Sequence, residues 1–131
     1  MSAGLYDTGR DAFLNKKIDM VNDTIKCALV GAGYTADMNA DQFWSSVAAN
    51  VVGVPVALTG KSTSAGVFSA DNVTSAAIST GSTVTQIVLY RDSGVAGTSQ
   101  LIAREDYTST PTNGGTISVN WDTGADKIFK L

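Results

Sequence analysis

Apolar and polar residues alternate along much of the chain, as they do in the strands of an antiparallel sheet. The clearest alternation is in Thr116–Trp121, and Thr24–Val30 repeats the pattern with Ile25, Cys27 and Leu29 on one face. Thr83–Arg91 is nearly continuous in apolar residues and predicts a central strand that is covered on both faces. Further strands are predicted in Val54–Leu58, Lys61–Ser69, Val73–Ser79 and Ser99–Asp106.

Helical spacing of apolar residues is confined to the first fifty residues. Arg10–Ile18 predicts a short helix with Phe13, Leu14 and Ile18 on one face. A second helix is predicted from Asn39 to about Asn50, because Asn39 and Gln42 have the spacing of a capping box. Its apolar face would consist of Ala40, Phe43, Trp44, Val47 and Ala48.

These patterns together predict a mainly β protein, an antiparallel β-sandwich or jelly-roll-like barrel with one or two short helices in its N-terminal part. A length of 131 residues suits one domain, spanning 1–131, with an N-terminal arm and helix over 1–18. No apolar run approaches the length of a membrane span, and Met1–Gly9 lacks the features of a secretory signal. No partnership with a membrane is therefore expected.

Charge and residue usage narrow the possible functions. Nine basic residues against twelve acidic ones give a net charge of −3, and the basic residues are scattered, which argues against nucleic-acid binding. The chain has no histidine, so Ser–His–Asp triads and the usual imidazole metal sites are excluded. Cys27 is the single cysteine and is predicted to lie buried and inert in a strand. We therefore predict no catalytic, metal-binding or cofactor-binding residues, no cofactor, and no enzymatic activity.

Three segments resemble chemical motifs but have simpler interpretations. Gly31-Ala32-Gly33 lacks the further glycines and the adjoining helix of a phosphate loop, so it is predicted to be a turn. Asp122–Asp126 is interpreted as a turn with Asp side chains on the backbone, with a weak calcium site as the alternative. Glu105 and Asp106 have no recognisable partner for carboxylate-pair catalysis.

The two ends of the chain are the predicted contact surfaces. Trp44 and Trp121 belong to apolar faces and are assigned to the core, whereas the tyrosines near the N-terminus lie in predicted arm or loop segments. The alternative is that the arm and the apolar tail simply pack against their own domain. The candidate interface residues are Leu5, Tyr6, Tyr34, Ile128, Phe129 and Leu131.

Two segments carry a resemblance to a known family. Leu5–Val30, which contains AFLNKKIDMVNDTIKCALV, and Ile117–Leu131, with the sequence ISVNWDTGADKIFKL, resemble a family of small virion proteins of tailed bacteriophages. The most specific parts are Asn15–Ile25 and Trp121–Leu131.

This resemblance implies a structural role without catalysis. It suggests a capsid decoration (cement) protein on the capsid exterior, assembled in the host cytoplasm, a homo-oligomer such as a trimer that contacts the major capsid protein. A neck, tail or fibre/baseplate component is the alternative. A carbohydrate-binding attachment module is a more distant one.

Overall fold

The structure is a computed structural model that describes residues 4–121 and 128–131. Over these residues the chain is mainly β, and every strand pair is antiparallel. The single α-helix of the described residues is α1, Asp7–Leu14. The strands are β1 Gly4–Leu5, β2 Ile25–Val30, β3 Val51–Ala57, β4 Ser62–Ser64, β5 Val67–Ser69, β6 Val73–Thr74, β7 Thr83–Arg91, β8 Leu101–Pro111, β9 Ser118–Val119 and β10 Phe129–Lys130.

A five-stranded sheet in the order β1-β8-β7-β2-β3 is the centre of the fold. β7 has the predicted bounds and pairs along its length with β2 on one side and β8 on the other. Its residues alternate between two separate apolar clusters: Ile87 and Leu89 face one, and Val88 and Tyr90 face the other. The prediction of a central strand covered on both faces is confirmed.

One face of this sheet, the aliphatic face, packs against a second layer of short strands. That layer contains the three-stranded sheet β10-β5-β4 and the two-stranded sheet β6-β9. Ile117, Val119 and Trp121 point into the core between the layers, as the alternation in Thr116–Trp121 predicts. The antiparallel β-sandwich of the sequence prediction is consistent with this arrangement.

The other face, the tyrosine face, is covered by a stretch of chain with little regular structure. Residues from 31 to 50 cross this face, and their buried side chains join those of the sheet. Trp44 stacks on Tyr90 with ring centroids 4.2 Å apart and planes 11° apart. Both tryptophans are buried, as predicted.

The first helix differs from its prediction in both bounds. It begins at Asp7 instead of Arg10 and ends at Leu14, before Lys16 adopts a φ of 59°. The helix includes Gly9, where a Cβ would lie 2.9 Å from the carbonyl oxygen of Leu101. This close approach allows the helix to begin early and pack directly on β8.

The predicted helix from Asn39 to Asn50 is wrong. The Asp37 carboxylate accepts hydrogen bonds from the backbone N–H groups of Asn39 and Ala40 and forms a turn. Phe43 is extended and forms a β-bridge with Gln100, after which the chain makes only two 3₁₀ turns, Trp44–Ser46 and Ala48–Asn50. Burial of the apolar side chains against the sheet outweighs the weak helical preference of a segment this short.

Other strand predictions are correct in kind but not in length. Lys61–Ser69 folds as a hairpin, β4 and β5, because Ala65 and Gly66 have φ of 51° and 81° and turn the chain. Val73–Ser79 contributes only the two residues of β6. Ser99–Asp106 corresponds to β8, which continues to Pro111.

Candidate functional site

Groups that could carry chemistry do not gather into a reactive centre in residues 4–121 and 128–131. Over these residues no three His, Cys, Asp or Glu side chains come together as metal ligands. Burial raises the pKa of the Cys27 thiol to about 12, so the group stays protonated and unreactive at neutral pH. In the same part of the chain, no helix is both long enough and apolar enough to cross a bilayer. The acidic loop Asp122–Asp126, considered above as a turn or a calcium site, lies outside the described residues.

The two adjacent carboxylates of β8 do not face one another. Asp106 is exposed and forms an ion pair with Arg104, with Nη2 and Oδ1 2.5 Å apart. Glu105 is half-buried, and this burial raises the pKa of its carboxyl group. Neighbours on a strand point to opposite faces, so these two groups cannot act as a catalytic pair.

A chain of hydrogen bonds lies on the tyrosine face. The Tyr6 and Tyr34 hydroxyl oxygens are 2.7 Å apart, and the Tyr34 hydroxyl donates to Asp41 Oδ2 at 2.7 Å. Burial raises the pKa of Tyr6 to about 12, and burial together with these two neighbours raises the pKa of Tyr34 further. Both phenols are therefore neutral hydrogen-bonding groups at physiological pH, and they tie the N-terminal segment to the 31–50 segment.

Gln86 fixes that segment to the sheet. Its Nε2 donates to the carbonyl oxygens of Gly31 and Tyr34 at 2.9 and 2.8 Å, and its Oε1 accepts from Arg104 Nε at 2.7 Å. Gln86 is a polar residue directly before the apolar run 87–90 of β7, which is the signal that sequence analysis did not use. Its role is structural, since each of these contacts is within the domain.

The candidate interface residues divide into two groups. Five of the six pack within their own domain, as in the alternative considered from the sequence, whereas Leu131 is 61% exposed. The buried members are Leu5, Tyr6, Tyr34, Ile128 and Phe129. An interface role for any of the six remains a prediction, and in this structure Leu131 is the member whose side chain a partner can reach.

Leu131 belongs to an apolar groove at one end of the sandwich, between α1 and the β4–β5 hairpin. The groove consists of two adjoining depressions of about 300 and 450 Å³ that share Phe13, Met20, Thr63 and Leu131. We call this surface the α1 groove. Its further lining residues are Lys16, Ile18, Asp19, Val21, Ser64, Ala65, Gly66, Phe68 and Phe129.

Exposed apolar side chains are concentrated around the α1 groove. Of the five large apolar residues exposed in the described part of the chain, Val21 and Leu131 line it, and Leu14 directly follows its lining residue Phe13. Leu14 is 82% exposed. Isolated apolar residues on a surface are ordinary, but a group of them beside a concave apolar surface is typical of an interaction site.

Lysines border this groove. Lys16 lines it, Lys17 is the next residue, and Lys130 lies beside the lining residue Gly66. All three are exposed, and none forms an ion pair with another described residue. Within residues 4–121 and 128–131, the cations that do form ion pairs are Arg10, Lys26, Arg91 and Arg104. The groove is thus largely apolar inside and has three lysines and the carboxylate of Asp19 around it, on a chain whose net charge is −3.

A second, polar groove of about 290 Å³ lies between β8 and β9. Tyr107 lines it and donates its hydroxyl to the carbonyl oxygen of Ser118 at 2.8 Å. Of the six Trp and Tyr residues, Tyr107 alone is not buried. Burial of the other five counts against the extended aromatic platform expected of a carbohydrate-binding module.

No protein-family model matches the chain, and no curated protein is significantly similar to it.

Proposed function

We propose that the chain is a structural virion protein of a tailed bacteriophage, and that it acts as a capsid decoration protein bridging capsid subunits. The observation that carries this proposal is the α1 groove, which gives the described surface of a well-packed β domain a concentrated site for contact with other protein subunits, whether capsid proteins or further copies of the chain. The resemblance of Leu5–Val30 and Ile117–Leu131 to small phage virion proteins supplies the biological setting. A neck, tail or baseplate component would use the same surface and is the second candidate.

The internal chemistry of the domain supports a contact role over catalysis. Cys27, Tyr6 and Tyr34 are buried with raised pKa values, so they are protonated at neutral pH. Gln86 uses both ends of its amide within the fold. These groups stabilise the domain and present no reactive atom to a substrate in the described surface.

A decoration protein stabilises a shell by many weak, repeated contacts. Once one contact holds the protein on the capsid, the others form at a high effective concentration, so modest individual affinities become strong together. The net charge of −3 favours a location away from packaged DNA, because repulsion from phosphate would oppose an internal position. Both arguments fit the capsid exterior.

Quantitative mass spectrometry of purified particles tests the proposal. The phage that encodes this chain would be purified in a density gradient, and its copy number measured against the major capsid protein. A decoration protein is expected at a copy number comparable to that of the major capsid protein. A few copies per particle would favour the neck, tail or baseplate, and absence from the particle would contradict both candidates.

A binding assay separates the capsid role from the other possibilities. Purified protein is expected to co-sediment with capsids of the same phage that lack it, and to compete with a labelled copy. The carbohydrate-binding alternative predicts instead that the protein binds host surface glycans and that Tyr107→Ala abolishes this binding. Glycan binding without capsid binding would overturn the proposal.

A further inference from the structure

We infer that the α1 groove binds a second copy of this chain, in a dimer with two-fold symmetry, and that Leu14 of each copy fills the groove of the other. The inference does not depend on the virion setting. It rests on the position of Leu14, on the charges around the groove, and on the symmetry that follows because Leu14 and the groove lie on the same surface.

Leu14 is a protruding apolar group beside an apolar depression. It is the last residue of α1, its predecessor Phe13 lines the groove, and Lys16 with its φ of 59° turns the chain away immediately afterwards. The rest of its domain leaves the side chain 82% exposed. Removing a leucine side chain from water is favourable, so a matching groove on another molecule would stabilise an association.

The charges around the groove complement each other within one surface. Asp11 is exposed one helical turn before Leu14, and it forms no ion pair with another described residue. Lys16 and Lys17 follow Leu14 in the chain, and Lys130 borders the groove. Asp19 also lines the groove, but its carboxylate already accepts hydrogen bonds from the backbone N–H groups of Val21 and Asn22. A second copy that approaches with its own α1 therefore brings Asp11 toward these lysines, and the reverse contact forms at the same time.

The closeness of Leu14 to the groove determines the symmetry. In a ring, each copy would insert its Leu14 into one neighbour and receive the Leu14 of another neighbour in its groove. Because Leu14 and the groove are adjacent, the two neighbours would have to occupy the same space. In a two-fold dimer a single partner uses both, because a patch that meets its own copy is self-complementary. The inference thus predicts a dimer, not the trimer that the family resemblance implies.

Pairing through the β3 edge of the central sheet is a less suitable route to self-association. In β3, Val52 pairs with Leu29 and Val56 with Cys27, so three residues of β3 lie opposite Ala28 alone. This bulge contains Pro55, which has no N–H to donate. Bulges and prolines are features that prevent edge strands from pairing with other chains.

A patch of this size should give a weak dimer. Stable complexes bury about 1,200–2,000 Å² in total, and a single groove filled by one leucine from each side is at the lower limit. A dissociation constant on the order of micromolar to millimolar is therefore expected. On a shell or at high local concentration this affinity is sufficient, because neighbouring copies are already held close together.

Sedimentation velocity of the full chain over a wide concentration range tests the inference. The wild-type protein should shift from monomer toward dimer, and Leu14→Asp should raise the dissociation constant about tenfold or more. Val54→Asp is the matched control, since Val54 is also highly exposed (73%) but lies on β3, outside the α1 groove. Circular dichroism and thermal unfolding should show that both variants fold like the wild type.

A charge exchange gives a second, independent readout. Asp11→Lys should weaken the dimer, because it places a lysine near Lys16 of the other copy. Adding Lys16→Asp should restore part of the lost affinity, because each copy then again places an acidic residue near a basic residue across the two-fold axis. Asp tolerates the left-handed backbone of position 16 better than most residues. Rescue of this kind would not follow if Asp11 and Lys16 served only the fold of the monomer.

Several outcomes would overturn the inference. These are a protein that stays monomeric at millimolar concentration, a dimer that Leu14→Asp leaves intact or Val54→Asp weakens equally, and a trimer. If the protein is monomeric and Leu14→Asp instead abolishes capsid binding, the partner that occupies the groove is a capsid protein and not a second copy of the chain. Absence of the chain from virions would contradict the proposed function but leave the dimer measurement unaffected.

Discussion

The two faces of the central sheet are buried by different means. On the aliphatic face, strands supply Ile25, Leu29, Ile87 and Leu89, which are packed without polar contacts of their own. On the tyrosine face, an irregular segment is held by hydrogen bonds through Tyr34 and Gln86 and by ring stacking. The same two strands, β2 and β7, contribute to both faces through alternate residues.

The difference shows how a short chain covers a sheet when it has little helix. Regular strands satisfy their own backbone groups, so the aliphatic face needs only shape and apolar area. The irregular 31–50 segment has backbone groups that no ladder satisfies, and Gln86 and Asp37 supply the missing partners. The aliphatic face should therefore be sensitive to lost volume, and the tyrosine face to lost hydrogen bonds.

The largest effect is expected from lost volume on the aliphatic face. Ile87 is 1% exposed in the middle of β7, so Ile87→Ala should lower the free energy of unfolding by about 2–5 kcal/mol through lost burial and a cavity. Urea unfolding followed by tryptophan fluorescence measures the change. Val54→Ala on the exposed bulge of β3 is the control, with an expected change within about 0.5 kcal/mol. Equal effects at the two positions would contradict the packing described here.

A smaller effect is expected from one lost hydroxyl on the tyrosine face. Tyr34→Phe keeps the ring but leaves the Tyr6 hydroxyl without its partner and removes one of the two hydrogen bonds that Asp41 Oδ2 accepts, so a loss of about 1–3 kcal/mol is expected. Tyr107→Phe also removes one hydrogen bond, but its hydroxyl is closer to solvent, so the loss should be about 1 kcal/mol or less. If Tyr34→Phe were neutral, the hydrogen-bond chain would not stabilise this face.

The most gradual effect is loss of stability at alkaline pH. Cys27 has an ordinary pKa of 9.0 and a folded pKa of about 12, and Tyr6 and Tyr90 rise from 10.0 to about 12. Below pH 9 these groups are protonated in both states and the full stability is present. Between its ordinary pKa and about pH 12, each group keeps its proton only in the folded chain, so it lowers stability by about 1.4 kcal/mol per pH unit, from pH 9 for Cys27 and from pH 10 for the two tyrosines.

Two substitutions, one on each face of the sheet, separate the contributions of the two faces to this alkaline loss of stability. Cys27→Ala should flatten the decline of the unfolding free energy between pH 9 and 10, and Tyr6→Phe should flatten it above pH 10. Urea unfolding at a series of pH values measures both slopes. A slope that neither substitution changes would show that other groups control the alkaline transition.

Sequence patterns predicted the strand-built parts of the fold well, for a local reason. β2 and the inward residues of Thr116–Trp121 have a two-residue period, and β7 has a nearly continuous apolar run; both patterns depend only on neighbours in sequence. The helical prediction from Asn39 to Asn50 failed because its apolar spacing served burial on a sheet, and tertiary packing determined the backbone conformation.

The candidate site was the least predictable feature. Of the candidate interface residues, Leu131 is exposed, whereas Tyr6 and Tyr34, which were assigned to arm or loop segments, are buried together. Phe129 is far in sequence from Phe13 and Met20, and the three meet only because the C-terminal strand pairs with β5 beside α1. A repeating pattern of neighbouring residues cannot indicate a contact between residues so distant in sequence.

The amino-acid sequence by itself determined the class of the fold, the central strand and the absence of histidine chemistry, because composition and two-residue alternation are properties of the chain alone. Tertiary structure decided which side chains share a hydrogen-bond chain, which remain exposed, and where the α1 groove forms. These depend on contacts between residues distant in sequence, and the free energy of such contacts exists only once the layers have packed together.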